Sequence, residues 1–315
     1  TQLAHYLINP DMRHDLSILS QTYLNHKPTE ISNIFGKGKN QIAAEQLPTK
    51  KLCDYYLEQT DLIFQLKEYF DKELVAAKTD QLFHKTETKL LEVLSKMELE
   101  GINLDTGFLK SLAIDLDKDI TNLETKIYKE SGEEFNIASP KQLGVILFEK
   151  LQLVDKPKKT KTGQYSTAED VLVALAKKHD IVDHILEYRS LSKLKSTYVD
   201  ALPSQINLKT NRIHTEYTQT VAATGRLSSN NPNLQNIPIR TERGRLIRKA
   251  FIPRNEDYVL LAADYSQIEL RIIAALSQEE TMIAAFKEGQ DIHAATAANI
   301  FNVQLNEITR EQRSN

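Results

Sequence analysis

Leu260-Leu261-Ala262-Ala263-Asp264-Tyr265-Ser266-Gln267-Ile268-Glu269-Leu270-Arg271 is the stretch whose reading decides the fold. Tyr258 to Ala263 is a short apolar run, which predicts a strand ending in an aspartate. A strand end presents that carboxylate at a sheet edge. From Ile268 onward, Leu270, Ile272, Ile273, Ala275 and Leu276 lie nearly all round a helix, which predicts a buried one. Ser266 and Glu269 stand at capping-box spacing for its start. A hard oxygen ligand such as Asp264 suits Mg²⁺, which commonly joins one or two carboxylates to substrate phosphates. A single aspartate also reads simply as a polar strand end.

Working outward, a second strand is predicted before it. From Arg212, residues Ile213, Thr215, Tyr217, Gln219 and Val221 alternate with His214, Glu216, Thr218 and Thr220. Before residue 210 the spacing is helical. Up to about residue 80 it gives Leu16, Leu19 and Tyr23, then Leu57, Asp61, Phe64 and Leu66 to Phe70. Phe83 to Glu100 carries Leu90, Leu91, Val93, Leu94 and Met97, with Gly101 as a stop. After Asn103-Leu104-Asp105 a helix to about Ser131 is marked by Leu109, Leu112, Leu116, Ile120, Leu123 and Ile127. Two long helices suggest an arm. The class is therefore α+β, with helices dominating the first two thirds.

Two segments are basic. Thr224-Gly225-Arg226-Leu227-Ser228-Ser229-Asn230-Asn231-Pro232-Asn233-Leu234-Gln235-Asn236-Ile237-Pro238-Ile239-Arg240 leads into Arg243, Arg245, Arg248 and Lys249, with Glu242 the one acid from Arg240 to Lys249. Guanidinium forks suit phosphate, and Asn and Gln amides can meet groove acceptors or hold arginines, though such residues also simply make turns. Lys156-Pro157-Lys158-Lys159-Thr160-Lys161-Thr162-Gly163 reads as a basic loop tip or as an ordinary solvated turn. Phe35-Gly36-Lys37-Gly38-Lys39-Asn40 lacks the Ser or Thr of a phosphate-binding loop.

The whole chain of 315 residues carries 40 Lys+Arg against 43 Asp+Glu, a formal charge of −3. This excludes a histone-like polycation, but nucleic-acid binding depends on where basic residues cluster. Apolar runs reach only Val259 to Ala263 and Ile272 to Leu276, far short of the roughly 20 residues of a membrane span. Cys53 is the one cysteine, so no intrachain disulfide can form. With no secretion-signal pattern in the first residues, a reducing, cytoplasmic setting is expected.

The strings now carry a resemblance. Asp264 to Arg271 resembles motif A of the family A DNA polymerases, and Thr224 to Pro238 resembles their template-primer stretch. Phe135-Asn136 with Ser139, Lys141-Gln142-Leu143, Ser166-Thr167, Leu194-Lys195-Ser196-Thr197-Tyr198, and Asp291-Ile292-His293 with Thr296-Ala297 extend it over essentially the whole chain. The resemblance implies an incomplete right-hand fold of a bacterial enzyme. Its expected parts are residues 1–82 as the end of a 3'-5' exonuclease-like domain, 83–210 as a long-helix thumb with palm-connecting helices, 211–285 as an antiparallel-sheet palm carrying motif A, and 286–315 as the start of the fingers, truncated in motif B. The implied partners are primer-template DNA and deoxynucleoside triphosphates, with no membrane. The expected protein is a cytoplasmic, nucleoid-associated monomer acting in replication and repair.

The same resemblance implies roles. Asp264 is expected to be a catalytic aspartate that holds Mg²⁺ with the Tyr265 carbonyl. Gln267, Glu269, His293 and Arg313 would face the nucleotide, with Glu269 excluding a 2'-hydroxyl. Arg226, Asn233, Gln235, Asn236, Arg240 and Lys195 would meet DNA, along with the tip lysines Lys156, Lys158, Lys159 and Lys161. Arg226 would check the minor groove at the primer terminus.

There are departures. After Arg313 the sequence has only Ser314-Asn315, so most of motif B, all of motif C and its second aspartate, and the lysine expected to protonate pyrophosphate lie outside it. The chain is therefore expected not to polymerise alone. The exonuclease-like part has Gln59 where the resemblance would place a metal-binding aspartate four residues after Tyr55, with Asp61 out of register and the earlier exonuclease motifs upstream of Thr1. No proofreading is expected. The alternative is a non-catalytic module that grips primer-template DNA; a metal nuclease or unrelated phosphotransferase would leave the Arg226 to Arg240 string unexplained.

Overall fold

A computed structural model describes residues 1–239, 241–289, 291–301, 303–304 and 307–309. Among these, the chain order is α1 (Gln2–Ile8), α2 (Leu16–Tyr23), α3 (Ile31–Phe35), α4 (Thr49–Ala76), α5 (Asp80–Leu82), α6 (Thr88–Glu100), β1 (Asn103–Leu104), α7 (Thr106–Ser131), α8 (Pro140–Val145), α9 (Glu169–Ala176) and α10 (Asp180–Leu194). Then follow β2 (Glu216–Thr218), β3 (Ser228–Asn230), α11 (Glu242–Arg248), β4 (Phe251–Ile252), α12 (Ile268–Ser277), α13 (Glu280–Lys287) and α14 (Ile292–Phe301). The expected α+β class is the one observed. The chain divides into two compact units, one from Thr1 to Tyr258 and one from Val259 onward.

In the first unit α7 is the organising element. The Asp105 carboxylate accepts from the Phe108 N–H at 2.8 Å and satisfies one of the free amides of its first turn. Gly132, at φ 75°, ends it in the left-handed conformation that costs glycine little. Between these stops the predicted stripe is buried at Leu109, Leu112, Leu116, Leu123 and Ile127, with Ile120 half-buried. The stripe serves two cores. Leu109 to Leu123 pack with Leu191, Leu194, Tyr198 and Ile213, while Ile127 joins Leu143, Leu147, Leu172, Val182 and Ile185. Helix α10 therefore lies along α7 and is itself shared by both cores.

The sheets are small. β1 pairs antiparallel with β4, Leu104 opposite Phe251, and β2 pairs antiparallel with β3, Tyr217 opposite Ser229. The strand predicted from Arg212 is realised as Glu216–Thr218, preceded by a bridge from Ile213 to Ile102.

Four local expectations are corrected. Tyr258 to Ala263 forms no strand, and Leu261 is 89% exposed. A strand needs a neighbour for its amides and carbonyls, and the described part of the second unit contains no other strand. Helix α12 forms as predicted but is not buried, since Ile272, Ile273 and Leu276 are exposed and only Ala274 is covered. Its capping box is absent. Gln267 takes the cap position at φ 54° with no side-chain bond, and the Ser266 carbonyl accepts from Arg271 Nε at 3.0 Å. On α4 the buried face is Leu62, Leu66, Phe70 and Leu74, whereas Leu57 and Phe64 are exposed, and on α6 only Leu94 is buried. Apolar residues on several sides of a helix identify the helix without selecting its covered face.

The third core holds Ala4, Leu19, Leu66, Phe70 and Leu74 and encloses an imidazole pair. Nδ1 of His5 lies 2.7 Å from Nδ1 of His14, and Nε2 of His5 lies 2.9 Å from the Tyr23 hydroxyl. One nitrogen of the pair must donate and the other accept, so the two rings cannot both be protonated. Burial, then the neighbouring His14, pull the His5 pKa down to about 4, and burial also lowers that of His14. An imidazole held below its ordinary value is protonated first in the unfolded chain, so its contribution is complete above about pH 6.5 and is lost as pH falls toward 4. The loss is about 3 kcal/mol at most for His5. Amides of α1, α2 and the second half of α4 should therefore lose hydrogen-exchange protection, corrected for intrinsic rates, between pH 7 and pH 5, while those of α7 and α10 hold. Equal protection of α1 at both values would refute this account of the pair.

Candidate nucleic-acid interface

The string from Arg226 to Pro238 is folded round two buried hydroxyls. The Thr215 hydroxyl lies 2.6 Å from that of Ser229, 2.9 Å from the Asn230 carbonyl and 2.8 Å from the Pro232 carbonyl. Ser229 Oγ accepts from the Leu234 N–H at 3.1 Å. Gln235 fastens the outer edge, its Oε1 accepting from Ser229 N at 3.2 Å and its Nε2 donating to the Leu227 carbonyl at 2.9 Å. Asn233 Oδ1 accepts from the Gln235 N–H at 3.0 Å, and the Tyr198 hydroxyl donates to the Asn236 carbonyl. Buried hydroxyls without partners would cost stability, so these bonds specify the loop's shape.

The loop then meets α11 at Gly244. A Cβ there would lie 2.7 Å from the Pro238 Cβ and 2.8 Å from Thr241 Oγ1, too close for any other residue without a shift. Thr241 caps the helix, its hydroxyl accepting from Gly244 N at 3.0 Å. On the other side, a groove of about 1030 Å³ separates the loop from α10, lined among others by Arg189, Lys193, Thr197, Gln235, Asn236 and Pro238. Arg189 is fixed at its wall, donating to the Thr167 carbonyl at 2.6 Å and to the Thr167 hydroxyl at 3.2 Å.

The sequence-predicted residues divide by environment. Arg226, Asn233, Gln235 and Asn236 are gathered on one exposed loop. Lys195 is held between Asp200 at 2.9 Å and Asp117 at 3.5 Å, and those carboxylates raise its pKa. In the tip, Lys156 and Lys161 are exposed, Lys158 pairs with Asp170 at 3.7 Å, and Lys159 lies over the Tyr165 ring at 5.2 Å. Arg243 pairs with Asp119 of α7, whereas Arg248 and Lys249 are exposed. Arg240 and Arg313 lie outside the described residues.

Within the second unit, Asp264 and Tyr265 sit on an exposed segment, Glu269 is exposed on α12, and His293 is exposed at the start of α14. The Asp291 carboxylate accepts from the His293 and Ala294 amides at 3.0 and 3.3 Å. Gln267 is the half-buried cap of α12. A divalent cation needs several hard oxygens, and among the described residues no three His, Cys, Asp or Glu side chains converge. Asp264 with the Tyr265 carbonyl is part of a donor set, and the residues present do not assemble a metal site.

Among the N-terminal helices, Tyr55 meets Phe35 edge-on at 6.2 Å, the buried Gln59 Nε2 has no hydrogen-bond partner, and Asp61 accepts from Gln65 Nε2 at 2.7 Å. Residues missed from the sequence are Thr215, Ser229, Arg189 and the hydroxyl role of Tyr198. A signal existed for Thr215, a polar residue on the inward register of the predicted strand, beside Ile213 and Tyr217.

The fold is similar to that of a solved polymerase domain. Residues 106–315 match the family described as DNA polymerase family A, and the chain belongs to that family. Among its relatives, the DNA polymerase I of Bacillus subtilis is 44% identical over 99% of this chain and 35% of its own length. That of Pseudomonas aeruginosa is also 44% identical, over 99% of this chain and 34% of its own. A solved structure, the POL domain of Pol1 from M. smegmatis in complex with DNA primer-template and dNTP, superposes with a TM-score of 0.81 at 38% identity, covering 99% of this chain and 51% of that one. The chain thus spans about a third of the length of the curated relatives. No helix among the described residues is long and apolar enough to cross a membrane.

Thr215→Val should destabilise the first unit by roughly 1–3 kcal/mol, since it leaves buried polar groups unpaired, while Thr215→Ser should stay near wild type. Urea unfolding measures both. Equal stability of Thr215→Val and wild type would mean that the hydroxyl hub does not hold the loop.

Proposed function

We propose that this chain is the primer-template-gripping part of a template-directed DNA polymerase, whose intact parent transfers deoxynucleotides to a primer 3'-hydroxyl. The observation that carries this reading is the Arg226 to Pro238 loop, held rigid on buried hydroxyls beside a groove walled by α10. Supporting it is the likeness to a polymerase domain solved with primer-template and dNTP. In this reading residues 1–82 are the end of an exonuclease-like domain without proofreading, 83–210 the thumb, 211–285 the palm and 286–315 the start of the fingers.

Arg226 is the minor-groove donor at the primer terminus, where every correct pair offers acceptors at similar places. Asn233, Gln235 and Asn236 act chiefly by shaping the loop, and their outward faces border the DNA together with Arg240. Lys156, Lys158, Lys159 and Lys161 supply phosphate contacts without sequence preference, and Lys195, paired with Asp200 and Asp117, is a further DNA contact in this reading. Glu269 excludes a 2'-hydroxyl, with Gln267, His293 and Arg313 on the nucleotide side. Family A polymerases generally use Mg²⁺. Asp264 and the Tyr265 carbonyl are its partial donors, the remainder belonging to the longer parent. The parent works as a cytoplasmic, nucleoid-associated monomer.

The second reading, a non-catalytic DNA-gripping module, is favoured for this chain alone by the exposure of Asp264 and the unpaired segment before it. The two readings predict the same first experiment. Fluorescence anisotropy with a primer-template junction, a blunt duplex and a single strand should show junction preference that falls with salt and weakens in Arg226→Ala. Each phosphate contact should add about 0.9 to the log-log salt slope. Equal binding to all three probes, unchanged by Arg226→Ala, would overturn the assignment of the loop. For the polymerase reading itself, Asp264→Ala in the intact parent should abolish primer extension with junction binding nearly unchanged. Extension by that variant at the wild-type rate would remove Asp264 from the catalytic set.

A further inference from the structure

Tyr6 lies in α1, almost fully enclosed, yet its hydroxyl engages a turn more than two hundred residues away. It donates to the Ala222 carbonyl at 2.6 Å and accepts from the Gly225 N–H at 3.0 Å. The turn's own bond, Gly225 N–H to the Ala222 carbonyl, is longer at 3.2 Å. Gly225 has φ 79°, a conformation that glycine enters and leaves easily. The phenol therefore closes a turn that its own backbone closes weakly. The Tyr6 ring is in turn steadied edge-on by the His14 ring at 5.7 Å.

The residue after this turn is Arg226. On its far side, the Leu227 carbonyl accepts from Gln235 Nε2 at 2.9 Å. The Arg226 backbone is thus bracketed by two side chains, Tyr6 before it and Gln235 after it. Gln235 belongs to the same loop and fixes only the exit. Tyr6 fixes the entry from another core, so the direction in which the Arg226 side chain departs depends on α1.

The geometry points to Tyr6 as a positioning residue for primer-template binding, acting through the Ala222–Gly225 turn on Arg226. The N-terminal helices thereby contribute to DNA grip without touching DNA. This inference rests on the DNA-binding reading of Arg226.

The test is a double-mutant cycle on this 315-residue chain, read by junction-DNA anisotropy, with Tyr6→Phe, Arg226→Ala and the double variant. Tyr6→Phe keeps the ring and its packing and gives up only the hydroxyl's two hydrogen bonds, so it should stay folded with a modestly lowered urea midpoint. It should weaken junction binding about threefold to tenfold, the worth of one or two hydrogen bonds. The loss should vanish in the Arg226→Ala background. Gly225→Ala, whose added Cβ would meet nothing within 4 Å, strains only the turn and should weaken binding in the same Arg226-dependent way. Wild-type binding by both Tyr6→Phe and Gly225→Ala, or losses equal in the two backgrounds, would overturn the positioning role while leaving Arg226 as a DNA ligand. Unimpaired binding by Arg226→Ala would overturn the DNA reading of Arg226, and the positioning role with it.

Discussion

The apolar stripe of α7 is the constraint on which the first unit depends. A helix of 26 residues is long enough to enter two cores, and its five fully buried aliphatic side chains are divided between them. Each such side chain contributes about 1.5–3 kcal/mol on burial, so neither core can shift along α7 without losing a large fraction of its stability. Helix α10 has the same double membership, through Leu191 and Leu194 in one core and Val182 and Ile185 in the other. The two helices form a rail, and the wall of the groove, Arg189 and Lys193 included, is part of it. Rigidity at that wall comes from packing, while the charge rides on it.

The loop opposite is stabilised differently. It has few apolar residues to bury, and Leu234 and Ile237 only pack against the margin of the α7 core. Its shape rests on hydroxyls and amides removed from water. Thr215 and Ser229 are buried, and each bond they make offsets a desolvation cost that a differently folded loop would leave unmet. Such a network is less tolerant than a hydrophobic cluster, because losing one partner strands the others. On the proposed DNA-binding reading, that intolerance suits a surface that must present the same donors to every duplex, since phosphates and minor-groove acceptors differ little among sequences.

What the sequence made legible follows the range of the forces involved. Helix α7 was readable at both ends because its cap, stripe and terminal glycine are all local. The α+β class and the basic loop were readable for the same reason, and Arg226, Asn233, Gln235 and Asn236 do stand together. The covered face of α4 was not readable, because Leu57, Phe64 and Leu66 are equally apolar and only the position of α1 and α2 selects among them. Nor was the failure of Tyr258 to Ala263 to form a strand, since propensity favours one and only pairing can satisfy its backbone. The Ser266–Glu269 box failed similarly, with Gln267 in a left-handed conformation where the motif expects an extended cap. Lys195 read as a DNA contact from its string, and only the fold brings Asp117 and Asp200 to it.

Grip and chemistry therefore make unequal demands on one chain. On the proposed reading the grip lies within the first unit, where Arg189, Gln235 and the Asn236 carbonyl at the groove's edge are held by hydrogen bonds. On the same proposed reading, chemistry at Asp264 asks for more, because stabilising charge on a transferring phosphoryl group needs several oxygens fixed at once in a site that excludes water. One carboxylate on an exposed segment, followed by a helix whose isoleucines face solvent, meets neither condition. The same exposed surface carries the residues that resemble the nucleotide site, so the apolar faces of α12 and the residues before it are where further packing would convert a displayed motif into an enclosed one. On the proposed reading, holding the template and assembling the catalytic site fall to different elements.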